Sequence, residues 1–186
     1  MANIIELKHI NKIYGDKIKT QVLYDINLNI KENSFNSIIG QSGSGKSTIL
    51  NIIGTLDKPT SGEIFIGGNP TDKMKKNELA YLRNQTIGFI FQFHYLLPEF
   101  TAYENVLIPY LMNNKKPSKE ILERADEPTG NLDSDTTETI YKILRNVNEK
   151  FKTTFLIITH DRKIAEKADR IIEVKDGKIN LDLNVI

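Results

Sequence analysis

Residues 40–47 read GQSGSGKS, and the reading of this stretch decides the fold. It fits the phosphate-cradling pattern G-x-x-x-x-G-K-[ST] at every fixed position. A short apolar segment ending in Ile38 and Ile39 leads into it, and Ile49, Leu50, Ile52, Ile53 and Leu56 follow at helical spacing. The order is strand, loop, helix, and it predicts an α/β chain that binds a nucleoside triphosphate.

The chemistry asks for these residue types in this order. Gly40, Gly43 and Gly45 can adopt backbone angles closed to other residues, so the loop can wrap with its N–H groups aimed at phosphate oxygens. The helix that starts near Lys46 adds free N–H groups and the positive end of its dipole. The Lys46 ammonium reaches the outer phosphates, and Ser47 can supply a hydroxyl to Mg²⁺. Gln41, Ser42, Ser44 and Thr48 complete the expected nucleotide-contacting set. A Gly/Ser-rich turn before an ordinary helix is the plain alternative, and the flanking strand and helix argue against it.

A chain of 186 residues, 39% of them hydrophobic, is long enough for one ordinary domain with a real core. With 25 basic against 24 acidic residues, no global field recruits nucleic acid or anionic lipid. The absence of Cys excludes disulfides and thiolate chemistry and fits a reducing compartment. No apolar run approaches the roughly 18 residues needed to cross a bilayer, and the first residues lack the apolar core of a signal peptide. A cytosolic, soluble chain is expected, with any membrane role arising through a partner.

Ile5 and Leu7 alternate with Glu6 and Lys8. Val22, Tyr24, Ile26, Leu28 and Ile30 alternate with polar residues, which predicts half-buried strands. Residues 62–68 add a short strand with Ile64 and Ile66 on one face and a Gly-Gly turn after it. A small antiparallel sheet at the front of the molecule follows. Tyr14 stands between the first two strands, where it could stack on an adenine ring or simply pack as a loop aromatic.

Residues 86–91, TIGFIF, read as a buried strand ending at Gln92, whose amide could touch Mg²⁺ or an attacking water at the strand's carboxyl end. His94 reads as a loop histidine, because no further ligand stands at metal spacing. Lys73, Lys75 and Lys76 read as a solvated helix face. Residues 96–114 begin with a Pro-containing turn and become a helix, with Thr101 and Glu104 offering a capping box. Phe100, Tyr103, Val106, Leu107 and Tyr110 form either a core face or, where exposed, a contact for a partner helix.

The second catalytic feature is ADEPTGNLDSDT, residues 125–136. Asp126 and Glu127 are adjacent carboxylates that can divide two jobs, Asp126 holding Mg²⁺ through its water shell and Glu127 accepting a proton from the attacking water. The helix predicted over residues 134–148 carries Ile140, Ile143, Leu144 and Val147 as its apolar stripe, and residues 154–159 read as a strand of the parallel-sheet type. His160 at that strand's end could donate a hydrogen bond to a terminal phosphate. Residues 170–179 read as a hairpin turning at Asp176 and Gly177.

Tyr14, GQSGSGKS, Gln92, ADEPTGNLD and His160, in this order along nearly the whole chain, resemble the ATP-binding subunit of ABC transporters. The resemblance implies a P-loop NTPase fold with a mostly parallel core sheet flanked by helices, plus a small antiparallel β subdomain, in a single nucleotide-binding domain. It implies ATP and Mg²⁺ as ligands, Tyr14 stacked on adenine, Gln92 as the hinge linking Mg²⁺ to a membrane partner, and Asp133 in a loop crossing a dimer interface. It also makes His160 the switch histidine. The implied partners are a second copy of the chain and integral-membrane subunits that hold it at the inner face of the membrane. The wording FQFHYLLPEFTAYENV and DEPTGNLDS is most similar to the lipoprotein-releasing LolD-like subgroup and its MacB-like relatives. A soluble ABC ATPase not tied to transport, or a nucleotide-binding module without catalysis, are the alternative readings.

One departure is large. Members of that family carry a signature segment, LSGGQ or similar, before the Asp-Glu pair, and this chain has none. Residues that should form an apolar strand before Asp126 read Leu122, Glu123, Arg124, Ala125, and they continue the helical pattern SKEILERA begun near Ser118. A helix cannot become a central strand with no connecting residues. Several dozen residues are therefore expected to be absent between about Arg124 and Ala125, which leaves the helical subdomain incomplete. Three origins fit: a disordered stretch left out of the chain as read, an engineered excision, or a natural deletion. The first is expected, since a natural deletion would also remove the Asp126 strand. An intact mass well above 21.2 kDa is the predicted result, and a match to that value would exclude the omitted stretch.

Overall fold

A computed structural model describes residues 2–90, 97–112, 118 and 136–185. The chain divides into two compact units, Met1–Gly88 with Thr137–Ile186, and Phe89–Thr136.

The larger unit holds two sheets. In the first, the long strands β1 (Asn3–Tyr14) and β2 (Thr20–Lys31) pair antiparallel, and β4 (Ser61–Ile66) and β5 (Asn69–Pro70) extend the sheet in the order β2-β1-β4-β5. Ile26, Leu28 and Ile30 are buried as the alternation predicts, but further up β2 it is Leu23 that is buried, while Val22 is half-buried and Tyr24 is exposed, because irregularities at His9 and Asp25, both at positive φ, shift the register and place Leu7, Ile10 and Leu23 in the core. Ile64 and Ile66 bury from β4, and Gly67 and Gly68, both at positive φ, make the turn into β5. This is the expected antiparallel subdomain. Tyr14 differs slightly from expectation, being the last residue of β1 and not part of the loop.

The second sheet has the order β6-β3-β7-β8. Strand β3 (Phe35–Ile39) pairs parallel with β6 (Phe155–Ile158) on one side and with β7 (Arg170–Lys175) on the other, and β8 (Lys178–Asn184) returns antiparallel. A strand buried on both faces must be apolar or internally satisfied throughout. Ile38 accordingly joins the large core with Ile49, Ile52, Ile172 and Val174, whereas Phe35 packs edge-to-face on Tyr141 at a centroid distance of 5.1 Å. The buried polar residues meet that demand only in part: the Asn36 amide donates to Ser34 Oγ and to the Phe155 carbonyl, while Asn36 Oδ1 and Ser37 Oγ have no hydrogen-bond partner among the described residues. The hairpin between β7 and β8 turns at Asp176 and Gly177, both at positive φ, as the Asp-Gly pair predicts.

Helix α1 (Lys46–Ile53) buries Ile49, Ile52 and Ile53. Leu56, expected on the same helix, lies beyond its end and is half exposed. The helix closes with a Schellman pair, Leu56 N–H donating to the Asn51 carbonyl and Thr55 N–H to the Ile52 carbonyl. Thr55 takes the left-handed conformation there, at φ 55°. A β-branched residue resists that backbone, and Arg83 of helix α2 (Lys76–Thr86) compensates by donating to both its carbonyl and its hydroxyl. Lys73, Lys75 and Lys76 are exposed as expected, but they do not share a helix face: Lys76 opens α2, Lys75 is its N-cap residue and Lys73 lies in the preceding turn.

Residues 86–91 do not form the expected strand. Thr86 ends α2, residues 87–90 take no regular structure, and Ile90 is 74% exposed; Phe91 lies outside the described residues. A short apolar run becomes a strand only beside a neighbour that supplies its hydrogen bonds, and among the described residues neither sheet takes in residues 87–90.

Helix α4 (Thr136–Phe151) also differs in detail. Its inward stripe is Tyr141, Leu144, Arg145 and Asn148, while Ile140 and Ile143 are 43% and 56% exposed. The partners decide the rotation. Tyr141 meets Phe35, Arg145 reaches Asp169 at 2.7 Å, and Asn148 donates to the carbonyls of Asn33 and Thr153. A short helix α5 (Arg162–Ala165), capped by Asp161, follows β6.

In the smaller unit, helix α3 (Ala102–Met112) starts at the expected capping box. Glu104 accepts from the Thr101 backbone N–H, and the Thr101 hydroxyl accepts from the Glu104 N–H. Asn105 clamps the preceding turn through the carbonyls of Leu97, Phe100 and Thr101. Leu107 is buried and Phe100 is half exposed. Gln92, His94, the helix predicted from Ser118, and the acidic segment with Asp126, Glu127 and Asp133 lie outside the described residues.

Candidate functional site

The phosphate-type loop leaves β3 at Gly40 and enters α1 at Lys46. Its shape is set by close backbone approaches that only glycine permits. A Cβ on Gly40, at φ 148°, would lie 2.1 Å from the Val174 carbonyl oxygen, and one on Gly45, at φ 103°, would lie 2.7 Å from the Leu23 side chain. The Asp176–Gly177 turn holds the loop against the core, since Gly177 N–H donates to the Ser44 carbonyl at 3.0 Å and the Gly177 carbonyl accepts from Tyr24 N–H at 2.8 Å. Gly43, at φ 78°, faces open space. The loop is thus fixed on its inner side and accessible on its outer side.

Lys46 folds back into this loop. Its ammonium donates to the carbonyls of Gly40 at 2.9 Å and Gln41 at 2.6 Å, and lies 3.4 Å from Ser44 Oγ. These partners are neutral, so an anion entering the loop offers the ammonium stronger, charge-assisted bonds in exchange. Helix α1 has no capping side chain and no acidic residue in its first turn to offset the positive end of its dipole. Ser47 in that turn is exposed and Thr48 half-buried. An anionic ligand fits the cradle, and the exposed Ser47 hydroxyl is a hard oxygen donor of the kind Mg²⁺ takes. Among the described residues, no group of three or more His, Cys, Asp or Glu side chains could hold a metal ion.

Strand pairing brings His160 to the same sheet edge as the loop. Ile38 of β3 is level with Ile158 of β6, Thr159 N–H donates to the Ile38 carbonyl, and His160 and Gly40 each stand two residues beyond that pair. The His160 side chain is exposed. Gln92, Asp126 and Glu127 cannot be placed against this edge, since they lie outside the described residues.

Tyr14 sits at the end of a polar relay that the sequence reading missed. Lys12 and Tyr14 share a face of β1, Lys12 being only 8% exposed and Tyr14 40%. The Lys12 ammonium donates to Asp57 Oδ1 at 2.6 Å and to the Lys58 carbonyl at 2.7 Å, and it lies 4.5 Å from the centre of the Tyr14 ring. The Tyr14 hydroxyl donates to the other Asp57 oxygen at 2.7 Å. Burial and the Asp57 hydrogen bond raise the Tyr14 phenol above its ordinary value, against a lowering hydrogen bond with Thr48 of the phosphate-loop helix. Period-two spacing could have flagged Lys12 beside Tyr14, but nothing local announces Asp57, which the Schellman turn delivers from 45 residues away.

Residues 23–171 match the ABC transporter family model, and the chain belongs to that family of ATP-binding cassette proteins. It is 38% identical over 224 residues to the lipoprotein-releasing system ATP-binding protein LolD 1 of Rhodopseudomonas palustris, covering 96% of this chain and 99% of the relative. It is 36% identical over 217 residues to the corresponding LolD protein of Shewanella frigidimarina, covering 94% and 91%. Both alignments are longer than the 186-residue chain, so these relatives carry residues, several dozen in the first case, with no counterpart here. Among solved structures, the ATP-binding cassette MJ0796, a dimer in a post-hydrolysis state bound to ADP and Pi, superposes with a TM-score of 0.87 at 34% identity, covering 98% of this chain and 99% of that one. The chain has the ABC ATPase fold, and it is LolD-like in sequence over nearly its whole length.

Asp57 gives the site a pH signature. Burial raises its carboxyl, but hydrogen bonds from Lys12, Tyr14 and the Lys58 N–H, with the Lys12 charge, outweigh this and hold it below the ordinary carboxylate value. A carboxyl lowered in the folded state stabilises the fold above its unfolded pKa, about 3.9. That contribution disappears as pH falls through the lowered value. Denaturant titrations of wild type and Asp57→Asn should therefore differ by a constant margin from about pH 5 to 7, and the margin should shrink as pH falls below about 4 and through the lowered value. An unchanged margin in acid would contradict the relay.

Proposed function

We propose that this chain is the ATP-binding and ATP-hydrolysing subunit of a transporter of the lipoprotein-releasing or macrolide-exporter type. The observation that carries the proposal is the glycine-shaped loop with the Lys46 ammonium folded into it, bound only to neutral oxygens at 2.6–2.9 Å. The names of the LolD relatives, lipoprotein-releasing system ATP-binding proteins, support the narrower assignment. The absence, among the described residues, of any helix long and apolar enough to cross a membrane fits engagement of the bilayer through integral-membrane subunits. The dimeric neighbour supports action as a pair of copies sandwiching ATP.

In this reading Tyr14 stacks on the adenine, residues 40–48 hold the triphosphate, and Lys46 trades its loop carbonyls for outer phosphate oxygens. Ser47, Gln92 and Asp126 would hold Mg²⁺, which when bound neutralises phosphate charge. Glu127 accepts a proton from water as the water oxygen attacks the terminal phosphorus and the bond to the ADP oxygen breaks. Lys46 and His160 stabilise the charge gathering on the transferred group. Closure of two copies and their reopening after hydrolysis would pass a shape change to the membrane subunits through the Gln92 region and α3, and the half-exposed Phe100 in the turn before α3 suits such a contact.

A second reading has its own support. The chain lacks an LSGGQ-like segment, its LolD relatives carry additional residues, and residues 87–90 take no regular structure. We infer that the gap lies between about Arg124 and Ala125, and a chain built this way could bind ATP without turning it over.

ATP binding and phosphate release measured on one sample separate the two. The first reading predicts binding with turnover in wild type, and in Glu127→Gln intact binding with turnover reduced at least about 100-fold. Normal turnover in that variant would remove Glu127 as the base. Binding without turnover in wild type would establish the module without catalysis.

A further inference from the structure

The Lys12–Asp57–Tyr14 relay does more than close a corner of the core. An exposed aromatic ring free to rotate must be ordered when a base stacks on it, and that ordering weakens binding. Here the ring is ordered in advance. Its hydroxyl is tied to Asp57 at 2.7 Å, one of its faces is covered by the Lys12 ammonium at 4.5 Å, and Lys12 is itself held by Asp57 and the Lys58 carbonyl. The support behind Lys12 is equally fixed. Thr60 N–H donates to the Asn11 carbonyl, and Ile13 N–H donates to Thr60 Oγ1, so residues 57–60 are stitched to the end of β1. With one face taken, the ring can offer a planar ligand only the other, and its remaining exposure is 40%.

We propose that Lys12 is a positioning residue for the purine base of the bound nucleotide, fixing which face of Tyr14 is offered and holding the ring in its stacking orientation. This rests on the reading of Tyr14 as the adenine-stacking residue. Lys12 reaches the base only through Tyr14, so its effect must appear on the base and not on the phosphates. Loss of the ammonium frees the ring and opens its second face, at a cost of about three- to tenfold in affinity.

The test is a set of equilibrium titrations of the full chain with ATP and with inorganic tripolyphosphate, which carries the phosphates without the base. Lys12→Met should bind ATP about three- to tenfold more weakly and tripolyphosphate unchanged. Tyr14→Ala should show the same pattern, and the double variant should be no weaker than Tyr14→Ala alone. Lys12→Arg, which keeps a cation over the ring, should restore ATP affinity to within about twofold. Asp57→Asn, which retains an acceptor for the Tyr14 hydroxyl, gives a second variant with Lys12 intact and should lose less than Lys12→Met. Equal weakening of ATP and tripolyphosphate in Lys12→Met would mean general damage to the site and overturn the proposal, as would unchanged ATP affinity or additive losses in the double variant. A wild type that binds neither ligand would overturn the nucleotide reading itself, and the proposal with it.

Discussion

The parallel pairing of β3 between β6 and β7 is the constraint on which the molecule depends. Because β3 is buried on both faces, its register against each neighbour is tightly specified, and a one-residue slip would exchange Phe35 and Ile38 between two different cores. The register fixes where β3 ends. Gly40 and His160 consequently emerge at one edge of the sheet, and the β7–β8 turn arrives close enough to hold the loop between them. The site is a product of strand alignment before it is a product of its own side chains.

A second layer of control acts on the loop. Val174 and Leu23 leave room at Gly40 and Gly45 for backbone alone, so the surrounding core enforces the glycines' conformations. On the far side of α1, a Schellman turn made with Thr55 in a left-handed conformation brings Asp57 to β1. One short helix of eight residues therefore carries the phosphate loop at its start and anchors the Tyr14 relay just past its end.

Much of this was legible in the sequence because the signals are local. The GQSGSGKS stretch, the alternation along β1 and β2, the Gly-Gly and Asp-Gly turns, and the Thr101–Glu104 capping box each depend on neighbours a few residues apart. What was misread depends on distant partners. Residues 86–91 have strand composition, yet 87–90 take no regular structure and join neither sheet among the described residues, and the α4 stripe is rotated because Phe35 and Asp169, not periodicity, choose which residues face inward. Lys12 was half visible through its spacing from Tyr14, whereas Asp57 was invisible. The acidic pair Asp126 and Glu127 and the Gln92 amide lie outside the described residues, so that half of the site rests on the sequence.

The central claim is that residues 40–47 form a working nucleoside triphosphate cradle. Calorimetric titration of the protein with ATP in the presence of Mg²⁺, compared with Lys46→Ala, tests it most directly. The account predicts one saturable site per chain in the wild type and loss of that site in the variant. No binding by the wild type, or equal binding by both, would contradict it.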